Sequence, residues 1–337
     1  MSRIRLEPFT IALVCTVLLA SLLPAHGAFA HWFGIATNLA IALLFFMHGA
    51  RLSWSTVLAG ILHWRLQLVI FVSTFVLFPL IGIVVGHLLT PLLPHDLILG
   101  IMYVCLLPST VQSSIAFTSI ARGNVPGAIC AASLSNIVGV ILTPLLVGVL
   151  LSVSGKAGFD FSAVWKILLQ LFLPFVLGQL CQPWIGDWMR ARKKMLNPVD
   201  RGSILMVVYS AFSAAVINGI WHDFSLADIL LVALVNGVIL AFVLFMTMQG
   251  SRLLGFSRED EITIIFCGSK KSLASGVPMA SAIFSPAAVG AIVLPIMLFH
   301  QMQLIACSVI AQHYARRDEE KPASPALDDG MQKLERS

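Results

Sequence analysis

Two adjacent lysines, Lys270 and Lys271, stand in a chain of 337 residues that is 58% apolar and only 11% charged. They belong to the run Gly268-Ser269-Lys270-Lys271-Ser272, which Ser275-Gly276-Val277-Pro278 follows. A second polar interruption, Pro108-Ser109-Thr110-Val111-Gln112-Ser113-Ser114, lies in an equally apolar setting. Hydroxyls, an amide and an ammonium can ligate an ion or hydrogen-bond an anion. No Asp or Glu lies deep in any apolar stretch, so neither a carboxylate partner for the lysines nor a proton relay is at hand. The ammonium groups are expected to meet carbonyls of an unwound backbone, or a substrate anion. Catalysis is not expected, because an enzyme using Lys270 as base would lack any second catalytic group. G-x-S-x-G, H-E-x-x-H and a phosphate-binding Gly loop are all absent, so neither a serine hydrolase, a zincin nor an ATP-driven pump is supported. The six cysteines form no CxxC pair and fall in apolar stretches, as inert buried thiols would.

The elements around these residues follow from where charge is missing. No Lys, Arg, Asp or Glu occurs in 8–50, 66–95, 97–121, 123–155, 167–186, 202–222, 229–251 or 272–315. About 20 apolar residues in a helix cross a ~30 Å hydrocarbon core, so a multi-pass membrane protein is implied. A soluble enzyme, a disordered chain and a nucleic-acid-binding domain are excluded. Pro, Gly and polar clusters divide the intervals into ten spans, near 8–23, 32–50, 65–89, 97–121, 125–151, 161–181, 202–220, 226–249, 260–283 and 286–313. With the N-terminus in the cytoplasm, 17 of the 21 basic residues fall in inner segments, while Lys156 stands in an outer loop. The segment 182–201 is then a cytoplasmic loop, 51–64 suits an amphipathic surface helix, and the charged tail 315–337 is expected to be disordered. Trp32, Trp64, Trp165, Trp184, Trp188 and Trp221 lie near span ends, as an interfacial belt requires.

Five spans precede residue 155 and five follow 160, so residues 1–155 and 156–314 form two repeats of opposite orientation. In inverted-repeat transporters the site lies near the midplane, at broken helices in matching positions. The two polar interruptions occupy the fourth span of each repeat. Lys270 lies ten residues beyond Asp260, about 15 Å deep by helical rise. A charge at that depth is normally tied to function. Small-residue packing faces are the lesser reading of either Ser-rich span alone, and a matched pair fits them less still. His48, His87 and His300 lack a metal-ligand constellation and read as satisfied histidines. Asn136, Gln301 and Gln303 suit either the site or interhelical hydrogen bonding.

At these residues the chain resembles a known family. LeuLeuProSerThrValGlnSerSerIleAlaPheThrSerIleAlaArgGlyAsnVal (106–125) is similar to the fourth-helix crossover of the bile acid:sodium symporter family (solute carrier family 10). IleAlaLeuLeuPhePheMetHisGlyAlaArgLeuSer (41–53) resembles that family's second helix, and GlySerLysLysSerLeuAlaSerGlyValPro (268–278) its ninth. The match reaches Tyr314 and fits best the branch of the family's seventh human member. The resemblance implies an all-α membrane protein of ten transmembrane helices in two inverted repeats. Its panel domain would hold helices 1, 2, 6 and 7, and its core domain helices 3–5 and 8–10, with helices 4 and 9 unwound where they cross. It implies a secondary active transporter of a small organic anion working by alternating access; a channel-like or regulatory protein of calcium-handling type is the other reading of that branch.

Several positions depart from the family's ion-binding pattern. The Ser-Asn pair of helix 4 falls on Ser114 and Ile115, and the helix 5 hydroxyl positions fall on Ala128 and Ala132, with Ser133 and Ser135 close by. The Glu and Gln of helix 9 become Phe266 and Lys270. Ser113, Ser114 and Ser133 are the candidate sodium ligands that are left. The expected substrate or ion site comprises Ser109, Thr110, Gln112, Ser113, Ser114, Ser133, Asn136, Ser269, Lys270, Lys271 and Ser272. No organic cofactor, certain metal or nucleic acid is expected, only the lipid bilayer, a small anion and a sodium ion as a possible co-substrate. The expected location is the inner membrane, with both termini cytoplasmic.

Overall fold

The computed structural model describes residues 8–51, 63–152, 161–219 and 224–319, and among these all regular structure is helical. In chain order the helices are α1 (Pro8–Leu22), α2 (Gly27–Arg51), α3 (Trp64–Leu89), α4 (His95–Leu106), α5 (Gln112–Ile120) and α6 (Val125–Ser152). There follow α7 (Phe161–Ala191), α8 (Lys193–Ile217), α9 (Leu226–Leu253), α10 (Arg258–Gly268), α11 (Leu273–Ile283) and α12 (Pro286–Glu319). By length and composition α2, α3, α6, α8, α9 and α12 can each cross a membrane, and α1 and α4 are shorter apolar helices. Large apolar side chains face outward as well as inward: Leu22, Leu39, Leu88, Leu234 and Leu253 are more than half exposed, which suits lipid rather than water. Trp32, Trp64, Trp165, Trp184 and Trp188 are exposed as well.

Local sequence sets the boundaries. Pro24 and Gly27, the latter at φ +54°, turn the chain between α1 and α2. Gly255, at φ +71°, follows α9, and Ser257 then caps α10 by accepting from the Asp260 N–H at 3.2 Å. Three acidic residues, Glu259, Asp260 and Glu261, occupy the first turn of α10, where the helix dipole favours them. Inside α3, residues Ser73–Leu77 form a π turn. α2 packs along α7, α1 along α8, and α8 against α2, while α3, α4, α9, α10 and α12 pack among themselves. Gly49 and Gly178 bring α2 and α7 into backbone contact, because a Cβ on either would strike the other helix at the Phe175 or Phe46 carbonyl.

Two expectations are corrected. The segment 182–201 is not a loop: α7 runs to Ala191 and α8 begins at Lys193. Charge marks the departure from lipid but does not end a helix, and Pro183 and Pro198 are carried inside these two. Likewise the helix α12 continues to Glu319, past the point where the tail was expected to become irregular. The surface helix expected over 51–64, the outer loop with Lys156, Trp221 and the tail beyond 319 lie outside the described residues, apart from Arg51 at the end of α2 and the start of α3.

Candidate functional site

Both polar interruptions are breaks in helical backbone. The chain leaves α4 at Leu107, which is extended (ψ 154°), and regains helix at Gln112; it leaves α10 at Gly268 and re-enters helix at Leu273. A broken helix leaves carbonyls without partners, and burying them unpaired would cost about 1–3 kcal/mol each. Serines fill those places. Ser114 Oγ donates to the Phe266 carbonyl (2.9 Å), Ser109 Oγ to that of Cys267 (2.6 Å) and Ser73 Oγ to that of Gly268 (2.9 Å). The two breaks also touch directly, with the Ser272 N–H donating to the Pro108 carbonyl at 2.9 Å. Asn136 joins them from α6: its Nδ2 donates to the Ser109 carbonyl (2.8 Å) and its Oδ1 accepts from Ser275 Oγ (2.8 Å).

A cavity of about 640 Å³ opens beside this crossing. Of the expected site residues, Thr110, Gln112, Ser113, Ser133, Asn136 and Ser272 line it. Ser109, Ser114 and Ser269 are fully buried behind its wall, with their hydroxyls given to backbone carbonyls. The first turns of α5 and α11 both face the cavity, through Gln112 and Ser113 on one side and Leu273, Ala274 and Ser275 on the other. First turns of two helices lining one space favour a negative group there.

The two lysines have different surroundings. Lys270 Nζ donates to Ser113 Oγ at 3.1 Å and sits 4.4 Å from the centre of the Phe117 ring, and both of those residues line the cavity. Lys271 Nζ turns away and donates to three backbone carbonyls. Of the candidate sodium ligands, Ser113 Oγ accepts from the Lys270 ammonium, and Ser114 Oγ donates to the Phe266 carbonyl. Ser133 lines the cavity.

The family model described as the SBF-like CPA transporter family matches residues 7–316. The chain belongs to that family. It is 55% identical over 328 residues to protein PA2026 of Pseudomonas aeruginosa, covering 97% of this chain and 98% of that one. It is 51% identical over 318 residues to the Escherichia coli protein named "Putative symporter YfeH", covering 94% and 96%. At 27% identity over 320 residues it is similar to the sodium/bile acid cotransporter 7 of Rattus norvegicus, covering 92% and 93%. The family is described as one of transporters, and the second and third of these relatives are named a symporter and a cotransporter, so the chain is a multi-pass membrane transporter and not an enzyme.

On this transporter the cavity reaches residues that the two interruptions did not point to. Arg51, Arg190, Arg201, Asp200 and Asn197 line it at the basic ends of α2, α7 and α8, together with His48 and His300. Arg51 Nη1 pairs with Asp200 Oδ2 at 2.6 Å, both side chains being mostly buried. Arg51 Nε, Asp200 Oδ1 and Asn197 Oδ1 are buried without a hydrogen-bond partner, so this wall holds unspent donors and acceptors. The sequence tallied Arg51 and Arg201 as inner-side charges and the histidines as satisfied. No local motif marks either as part of a cavity.

Proposed function

We propose that this protein is a secondary active transporter that carries a small organic anion across the inner membrane by alternating access. The observation that carries the reading is the cavity at the crossing, where two helix N-termini and the Lys270–Ser113 pair meet. Its other walls are apolar, with Phe45, Phe175, Ile137 and Val140 among them, and they suit the body of an organic molecule rather than a bare ion. The basic mouth at Arg51, Arg190 and Arg201 raises the local concentration of anions. Because those arginines belong to the cytoplasmic side under the positive-inside rule, the cavity is read as open inward, with both termini cytoplasmic.

In this reading ten helices form two inverted repeats, with α4–α5 and α10–α11 as the broken fourth members. α1, α2, α7 and α8 form the panel, and the remaining helices form the core. The cavity lies between the two groups, so rocking one against the other would carry an anion held at the crossing from one side to the other. The backbone contact of Gly49 and Gly178 makes the α2–α7 pair a rigid unit for such a motion.

Thermal unfolding of the purified protein against a panel of anionic metabolites tests this, with neutral and cationic analogues of the same size as controls. Stabilisation confined to anions is expected, through mass action on the folded state. Equal responses to anions and their neutral analogues would remove the anion from the reading. A scaffold that binds anions yet never exchanges them would be channel-like or regulatory instead.

A further inference from the structure

Three carbonyl oxygens surround Lys271 Nζ: Leu107 at 2.7 Å, Thr74 at 2.9 Å and Cys105 at 3.0 Å. The Phe78 ring closes another side, with its centre 4.0 Å from the nitrogen, and the residue is 1% exposed. Each carbonyl is available because the backbone is irregular where it arises. Thr74 sits in the π turn of α3. Cys105 and Leu107 sit where α4 ends, and the Ser109 N–H that a continued helix would return to Cys105 donates to Ser135 Oγ instead. The three acceptors match in number the three N–H groups of an ammonium. The lysine is also held from behind. Gln303 Oε1 accepts from the Lys271 N–H (2.8 Å), and Gln303 Nε2 donates to the Lys271 carbonyl (2.9 Å). Thr74 Oγ1, on a residue that supplies one of the carbonyls, is buried and has no hydrogen-bond partner.

Carbonyls of unwound backbone plus an aromatic face make a receptor for a desolvated cation. We propose that the carbonyls of Thr74, Cys105 and Leu107 form a cation site whose permanent occupant is the protein's own Lys271 ammonium, and which takes up a small free cation once that side chain is shortened. The charge at the crossing is then tethered, and no sodium ion can share the cage with it. α3, the end of α4 and the second break are thereby locked together by a cation that no ion gradient supplies. The inference does not rest on the anion reading: Lys271 faces the cage, and it is Lys270 that faces the cavity wall.

The test is thermal unfolding of the purified full chain in chloride salts of choline, sodium and methylammonium at matched ionic strength. The parent is expected to melt at the same temperature in all three. Lys271→Ala is expected to melt lower in choline and to regain at least half of the loss in sodium or methylammonium, rising with concentration as a cation bound only by the folded state requires. Lys271→Met, which fills the cage without charge, is expected to melt low in every salt. A sodium-specific rise in the parent would overturn the proposal, as would a Lys271→Ala protein indifferent to the salt. Should Lys271→Ala fail to accumulate, Lys271→Met still decides: melting with the parent in choline would show that the cage needs no cation.

Discussion

Replacing Lys270 with Gln separates the charge of this side chain from its hydrogen bond. Lys270 is fully buried and its Nζ lies 3.1 Å from Ser113 Oγ, which lines the cavity. An anion accepting from that hydroxyl would lie about 6 Å from the ammonium, adding a second hydrogen-bond length. A unit charge at ~6 Å and an effective dielectric near 20 is worth about 3 kcal/mol. Anion affinity should therefore fall roughly 100-fold in Lys270→Gln, since each ~1.4 kcal/mol is a factor of ten. The amide can keep the bond to Ser113, and a buried charge is removed, so the melting temperature should hold or rise. Isothermal titration with an anion that stabilises the parent reads the first quantity, and thermal unfolding without ligand reads the second. Unchanged affinity with an unchanged melting temperature would refute the placement of Lys270 beside the anion. A large loss of stability would assign it a structural role.

Other perturbations probe other parts of the site. Ser109→Ala strips the hydroxyl from the buried Cys267 carbonyl and should cost about 1–3 kcal/mol in denaturant unfolding, with anion affinity little changed if the side chain only caps the break. Asp200→Asn removes the partner charge of Arg51 and should tighten anion binding several-fold, whereas Arg51→Gln should weaken it and lower stability by stranding Asp200. Gly178→Val forces α7 off the Phe46 carbonyl, and it should destabilise the protein far more than Gly202→Val, where an added Cβ meets nothing. Cysteines placed at exposed Trp184 or Trp188 should resist a membrane-impermeant thiol reagent in intact cells; ready labelling would reverse the orientation.

Much of the fold was legible because breaks in an apolar chain need particular residues. Pro108 and the serines after it, and Gly268 through Ser272, cannot be read as ordinary lipid-facing helix, and the chain does leave helix at both places. The run 182–201 is not legible in the same way, because charge does not end a helix: a helix can leave the membrane and continue in water. Within the site, residue type gave the membership but not the division of roles. Ser109 and Ser114 look like ligands in sequence, and their hydroxyls go to the carbonyls of Cys267 and Phe266, distant in the chain. The same holds for the lysines: neighbours on a chain, they part because an unwound backbone turns one to the cavity wall and the other to three carbonyls. Arg51 and Asp200 meet only through the packing of α2 against α8, and no spacing in the sequence announces it.

The most direct measurement is solute counterflow in proteoliposomes, using a labelled form of whichever anion stabilises the purified protein. Vesicles preloaded with unlabelled anion should transiently accumulate the label above its outside concentration, and Lys270→Gln vesicles at the same anion concentration should not. Label that merely equilibrates would indicate a channel. No uptake at all, from protein that still binds the anion, would contradict alternating access at this crossing.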